Sequence, residues 1–459
     1  MHLVSRRVFI ACLFIFFAFA AERFAAAQTS PAPAPPASSQ TVPQQTQVQT
    51  PPPEAKTEQA YSLPPDKLAK AKALNKIRLA LDIFGTFWGL AVLWWLLASR
   101  TAARLEHWTQ RKTSRRWVRG LLFFAVFTII TALAGLPLDM IGHTASRQYG
   151  ISVQGWAGWF ADQGKGLALS LLAVFVLLLF NWIVRRWPRR YWFGIWLVTL
   201  PLMLLVTFAS PFVEPWFNDY EPLQKNHADL VADLEKVVTR TGTQIPPDRM
   251  FLMKASLKSN GLNAYVSGLG PSKRIVVWDT TAGRIPGDEI VFIFAHESGH
   301  YVLRHIVKGL AISAVAFFFI FWVCARVAEW MAQRFGGRWG IDPKANETPL
   351  ATRTGFVVLI LVVSVTSFLL QPAGNTVSRY FEHQADVYGQ EAIHGLVADP
   401  QKTALSSFDH LGEAWLEDPD PNPFIEFWLY DHPSVQNRAE FAEHYNPWAN
   451  GGHGEFFKN

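Results

Sequence analysis

The chain has 459 residues, of which half are hydrophobic and only 17% are charged, with 19 Trp and 35 Phe. Apolar residues in that proportion, gathered in long uninterrupted runs, exclude an ordinary soluble protein and call for lipid around them. The net charge of +6 does not point to nucleic acid, because the basic residues sit in short loops between apolar runs and not along one groove. The two cysteines, Cys12 and Cys324, both lie inside apolar stretches, which leaves no disulfide framework or thiolate metal site to build.

Arg6 and Arg7, the apolar run Val8 to Ala21, and Ala25-Ala26-Ala27 before Gln28 read as a secretory signal peptide over 1–27, or as an uncleaved anchor. Residues 28–65, rich in Pro, Gln, Thr and Ala, lack the apolar content for a core and read as a disordered linker. Four membrane helices are predicted within 66–213, at 79–98, 118–138, 166–184 and 191–213. Two more fall within 306–372, at 306–326 and 354–371, each close to the length of about 20 residues needed to cross the hydrocarbon core. Two soluble stretches, 214–305 and 373–459, interrupt and follow them.

Loop charge predicts the orientation. Residues 99–119 carry Arg100, Arg104, Arg111, Lys112, Arg115, Arg116 and Arg119 against Glu106, and residues 185–190 read Arg-Arg-Trp-Pro-Arg-Arg. The loop 327–353 carries Arg334, Arg338, Lys344 and Arg353, whereas 139–165 has only Arg147 and Lys165. The positive-inside rule puts the first three loops in the cytoplasm and both soluble stretches on the exported side, where a signal peptide also directs the chain.

In the first soluble stretch an amphipathic helix is predicted from Leu223 to about Arg240, ended by Gly242 and Pro246-Pro247. Three strands follow, at Met250 to Lys254, Leu262 to Ser267 and Arg274 to Thr280. A helix starting near Pro286 then runs through His296-Glu297-Ser298-Gly299-His300 into the fifth span. Histidines four apart project from one helical face and can share a tetrahedral zinc, with Glu297 placed to take a proton from the attacking water.

A catalytic zinc needs a third protein ligand. Position 306 is Ile, not His, and on a continuous helix His305 points away from His296. The segment Asn375 to Asp386 offers Asn375, Glu382 and Asp386 near one helical face. Glu382 would complete a His-His-Glu site, and Asp386 would accept the free ring N–H of a ligand histidine. His383 is a rival ligand by residue type, displaced by about 100° around the helix.

The sequence resembles the integral-membrane metallopeptidase family that includes the type I CAAX prenyl endopeptidase and its bacterial relatives. The likeness rests on Pro211 to Asn218 with Pro222-Leu223, on Asn263-Ala264-Tyr265 leading to Arg274 to Thr280, on His296 to His305, and on Asn375 to Asp386. His432-Pro433 with Arg438 follows in the same order. The resemblance implies a zinc held by His296, His300 and Glu382, Glu297 as general base, and Asp386 behind a ligand. It also implies that Asn263, Ala264 and Tyr265 form an edge strand that pairs with an extended peptide, while His432 and Arg438 stabilise the oxyanion.

The expectation is therefore a mainly α, polytopic membrane protein with six transmembrane helices and a small α+β, zincin-like catalytic domain made by the two soluble stretches. Its partners are a peptide or membrane-protein substrate in extended form and the lipid bilayer. The expected location is a bacterial inner membrane with the catalytic site on the periplasmic side. That setting favours peptide hydrolysis over processing of prenylated CAAX proteins, with a quality-control protease for membrane proteins as the alternative. A transporter would carry polar residues inside its spans, where Asp82 and a few prolines are the main ones. A non-catalytic receptor would not need the full set of ligands and base.

Overall fold

The computed structural model describes residues 59–458 apart from position 269 and positions 345–346, so the signal segment 1–27 and most of the linker 28–65 lie outside the described residues. Helix α1 runs from Pro65 to Ala98, α2 from Thr101 to Lys112, α3 from Arg116 to Gln148, α4 from Trp156 to Arg186 and α5 from Tyr191 to Val213. After the soluble insertion come α9 (His305–Trp339) and α10 (Arg353–Ile393). Among the described residues, six helices are long and apolar enough to cross a membrane: α1, α3, α4, α5 (extended to Trp216), α9 and α10. Their outer faces carry exposed Trp94, Phe175 and Phe319, the surface expected where lipid replaces water.

The helices overrun the apolar runs that predict them. Helix α1 begins at Pro65, some four turns before the apolar run at 79, because its first half packs against protein rather than lipid. There Arg78 Nη1 donates to the Trp415 carbonyl at 3.0 Å, and Asn75 Nδ2 to Asp418 Oδ2 at 3.3 Å. Tyr61, inside the stretch read as linker, is buried and donates its backbone N–H to Gln436 Oε1 at 2.8 Å. Residues 59–65 are thus part of the folded structure, and that part of the linker reading is corrected.

Helix α10 has 41 residues and a length of about 60 Å, roughly twice the hydrocarbon core. Its N-terminus is capped twice. Thr352 Oγ1 accepts from Gly355 N at 2.9 Å, and the buried Glu106 carboxylate accepts from the backbone of Arg353 at 3.1 Å and Thr354 at 2.9 Å. Residues from Arg353 to Ser364 are buried along every face, so α10 threads the middle of the bundle before emerging as a catalytic helix.

The soluble stretches form one domain. Helix α6 (Ala228–Thr241) ends at Gly242, whose φ of 67° is the left-handed conformation that glycine adopts without penalty. Strands β1 (Tyr220–Pro222), β2 (Met250–Met253), β3 (Ala264–Ser267) and β4 (Arg274–Trp278) make a four-stranded sheet in the order β1-β2-β4-β3. The β2–β4 pair is parallel and the two outer pairs antiparallel. The short α7 (Asp279–Ala282) leads to α8 (Gly287–Val302), and α11 (Pro400–Trp415), α12 (Pro423–Leu429) and α13 (Val435–His444) follow α10. Burial of Ile290, Val291, Phe292, Ile293, Phe294 and Ala295 fixes α8 in the core of this domain.

The predicted continuous helix from Pro286 into the fifth span is corrected. Helix α8 stops at Val302, and Arg304, at φ 58°, turns the chain before α9 starts.

Candidate metal centre

Three elements converge on one point. Helix α8 supplies His296, Glu297 and His300, the emergent half of α10 supplies Glu382 and Asp386, and the segment from α12 to α13 supplies His432 and Arg438. The close approach of α8 and α10 depends on glycine at both helices. A Cβ on Gly389 would stand 2.9 Å from the His296 backbone nitrogen, and one on Gly299 would stand 3.0 Å from the Tyr388 ring.

His296 Nε2 lies 3.2 Å from His300 Nε2 and 3.3 Å from Glu382 Oε2, while His300 Nε2 lies 3.5 Å from Glu382 Oε1. All three residues are buried. Four-coordinate zinc with bond lengths near 2.0–2.2 Å has ligand-to-ligand edges of about 3.3–3.6 Å, so the separations of His296 Nε2 from His300 Nε2 and Glu382 Oε2 are close to those around a shared ion, while the 3.5 Å approach of His300 is to the other Glu382 oxygen. Neither Glu382 oxygen accepts a hydrogen bond, and Glu297 Oε2 is also unbonded. Buried carboxylate oxygens left this way are costly without a cation. The residues present therefore fit a divalent metal of zinc type. Burial lowers the His300 pKa to about 4, which keeps the ring neutral and able to ligate.

Behind these donors lies a buried ion pair. Asp386 Oδ1 stands 2.8 Å from His296 Nδ1, the placement expected of the residue that orients a ligand. Arg438 Nε donates to Asp386 Oδ2 at 2.7 Å, and its Nη2 donates to Oδ1. The guanidinium is thus committed in fork geometry behind His296, on the ring edge away from Glu382. Its Nη2 also stands 3.3 Å from His296 Nδ1. His432 does face the site, with Nε2 3.5 Å from Glu382 Oε1 and Nδ1 3.0 Å from Asp431 Oδ1. Burial, together with the Arg438 charge, holds its pKa well below the usual histidine range. Asn375 is buried on α10 and donates to the Trp428 carbonyl at 2.7 Å, tying α10 to the end of α12. His383 is turned away, its ring 4.9 Å from that of Phe441.

Burial, then the charge of Glu382, raises the Glu297 pKa well above the ordinary carboxylate value, and a hydrogen bond from the Val266 backbone opposes the shift. Among the described residues strand β3 pairs only with β4, which leaves its other edge open. The Asn263 carbonyl accepts from Trp278 N at 3.0 Å and therefore points inward. Backbone direction alternates along a strand, so Tyr265 and Ser267 also turn to β4 while Ala264 and Val266 face the open edge. Asn263 N–H is spent on Thr281 Oγ1 at 2.8 Å. Of the expected trio, only Ala264 offers its backbone outward, and Val266, not anticipated, joins it.

Tyr265 has another task. Its hydroxyl donates to Glu214 Oε2 at 3.1 Å, where Tyr220 (3.3 Å) and Arg274 Nη2 (2.6 Å) also converge, and Ser267 Oγ donates to Oε1 at 2.8 Å. Glu214, at the exit of α5, thereby pins the open strand to the membrane domain.

Residues 224–446 match the profile of peptidase family M48, and residues 43–219 match a profile described as the CAAX prenyl protease N-terminal region with five membrane helices. An uncharacterized metalloprotease of Bacillus subtilis, YhfN, is 32% identical over 399 residues, covering 84% of this chain and 87% of that one. CAAX prenyl protease 1 of Saccharomyces cerevisiae is 26% identical, covering 70% and 71% of the two chains. The crystal structure of S. mikatae Ste24p has the same fold, with a TM-score of 0.70 at 22% identity over 96% of this chain and 97% of that one.

Proposed function

This chain belongs to peptidase family M48 and is an integral-membrane metalloprotease, and we propose that within that family it is a zinc-dependent endopeptidase whose site faces the exported side of a bacterial inner membrane. The observation that carries the reading is the trio of buried donor atoms on His296, His300 and Glu382 at tetrahedral spacing, with an unbonded Glu297 oxygen beside them. Bound zinc would supply Lewis acidity, polarising the scissile carbonyl and acidifying the attacking water.

The chain's own residues carry out the rest. An extended substrate lies along the open edge of β3, paired through Ala264 and the Val266 carbonyl, which brings its scissile bond across α8. Glu297 takes the proton of the attacking water on Oε2 and returns it to the leaving amine. His432 donates from Nε2 to the developing oxyanion. Asp386, gripped by Arg438, fixes the ring of His296.

Cationic loops at 99–119 and 185–190 support the orientation. An exported site argues for membrane or secreted polypeptides as substrates rather than the prenylated termini named for the yeast relative. The test pairs metal analysis of the purified protein with a Glu297→Gln variant in a peptidase assay. About one zinc per chain and loss of activity in the variant are expected. Full proteolysis by Glu297→Gln, or a protein without stoichiometric zinc, would refute the proposal.

A further inference from the structure

The break between α8 and α9 redirects His305. On an unbroken helix it would point away from the ligands; instead its Nδ1 lies 3.2 Å from His300 Nδ1, and its Nε2 lies 3.2 Å from Gln384 Oε1. Its ring stacks on Phe381 with centroids 4.5 Å apart at 10°, and it is buried to 1% exposure. We propose that His305 is a positioning residue for the metal ligand His300, holding the second histidine as Asp386 holds the first; the inference rests on the metal reading above.

The proton bookkeeping runs in one direction only. His300 presents Nε2 to the metal, so its single proton sits on Nδ1 and needs an acceptor. The Gln384 carbonyl accepts from His305 Nε2–H, which leaves the lone pair of His305 Nδ1 aimed at His300. A Gln384–His305–His300 chain thus sets tautomer and ring angle without adding charge, whereas His296 leans on the Asp386 carboxylate. His305 is also the first residue of the membrane-crossing α9, and Gln384 lies on α10. The orientation of one ligand is therefore set by the packing of two membrane-crossing helices.

The experiment uses the full chain in detergent, comparing zinc affinity by chelator competition and the visible spectrum of the cobalt-substituted protein. The variants are His305→Ala, His305→Asn, Gln384→Leu and His300→Ala. His305→Ala is expected to bind zinc about 10–100-fold more weakly and to shift the cobalt bands. His305→Asn, whose carbonyl oxygen can stand where Nδ1 stood, recovers most of the loss, and Gln384→Leu shows a smaller one. Zinc affinity of His305→Ala within twofold of the unmodified protein would overturn the proposal. So would a loss as complete as that of His300→Ala with no recovery by Asn, which would make His305 a ligand. If His305→Ala does not fold, the Asn and Leu variants decide in the same way. An unmodified protein that binds no zinc would instead sink the metal reading itself.

Discussion

Replacing Arg438 by methionine removes a cation from a buried ion pair while keeping an apolar stem over the Phe408 ring, from which the guanidinium stands 4.4 Å. Arg438 and Asp386 are 7% and 2% exposed, and two hydrogen bonds join them. Deleting one partner of such a pair strands the other as an uncompensated charge, a cost of about 3–5 kcal/mol. The carboxylate left behind also loses its fixed angle to His296, so zinc affinity should fall with stability. Exchanging Asp386 for asparagine in the same protein removes the stranded charge. The double variant is then expected to be more stable than Arg438→Met alone, with a coupling on the order of 2 kcal/mol. Denaturant unfolding in detergent with the metal chelated gives the stability, and chelator competition gives the affinity. An oxyanion donor would behave differently, losing about 10²–10³ in kcat with zinc content and stability unchanged. That outcome, or strict additivity of the two substitutions, would refute the assignment of Arg438 behind His296.

Glu214→Gln keeps the shape of the carboxylate but weakens its four bonds to Tyr220, Tyr265, Ser267 and Arg274, so strand β3 is held less firmly. Cleavage of a peptide should fall about 10–100-fold with zinc content intact, and an unchanged kcat/KM would contradict that role. Gly389→Ala puts a methyl group 2.9 Å from the His296 nitrogen; overpacking of about 1–3 kcal/mol, with weaker zinc binding, is expected in unfolding and competition assays. Burial, opposed by His410 and reinforced by Glu289 and Glu413, raises the Asp409 pKa to about 6. The folded state then binds the proton more tightly than the unfolded chain does, so the contribution of Asp409 to stability is lost as pH rises from about 4 to 6. Asp409→Asn should therefore unfold at a higher temperature than wild type at pH 7.5, and the gap should close towards pH 4.

Hydropathy located the six spans because lipid-facing segments must be apolar along most of their length. It missed the first half of α1, where Lys67, Asn75 and Arg78 face protein, since a polar helix packed on a domain has no such signature. The pairing of His296, Glu297 and His300 followed from helical spacing, and Glu382 with Asp386 from the same rule on a second helix. The error over His305 has a definite cause. The residues that turn the chain are Leu303 and Arg304, neither a glycine nor a proline, so the sequence carries no local sign that α8 ends there. The Arg438 grip on Asp386 spans 52 residues and belongs to tertiary packing, which spacing along one helix does not reveal. Val266 was within reach, because backbone direction alternates along β3, but only once the partner of the Asn263 carbonyl is known.

The threading of α10 has a consequence for biogenesis. His296 and His300 precede α9, Glu382 follows the apolar part of α10, and His432 comes later still. A nascent chain that has emerged only as far as α8 holds His296, Glu297 and His300 but not Glu382. On the proposed ligand set, the site closes only after α9 and α10 have been made and α10 has found its slot in the bundle. On that reading, hydrolytic competence reports completed insertion of the membrane helices.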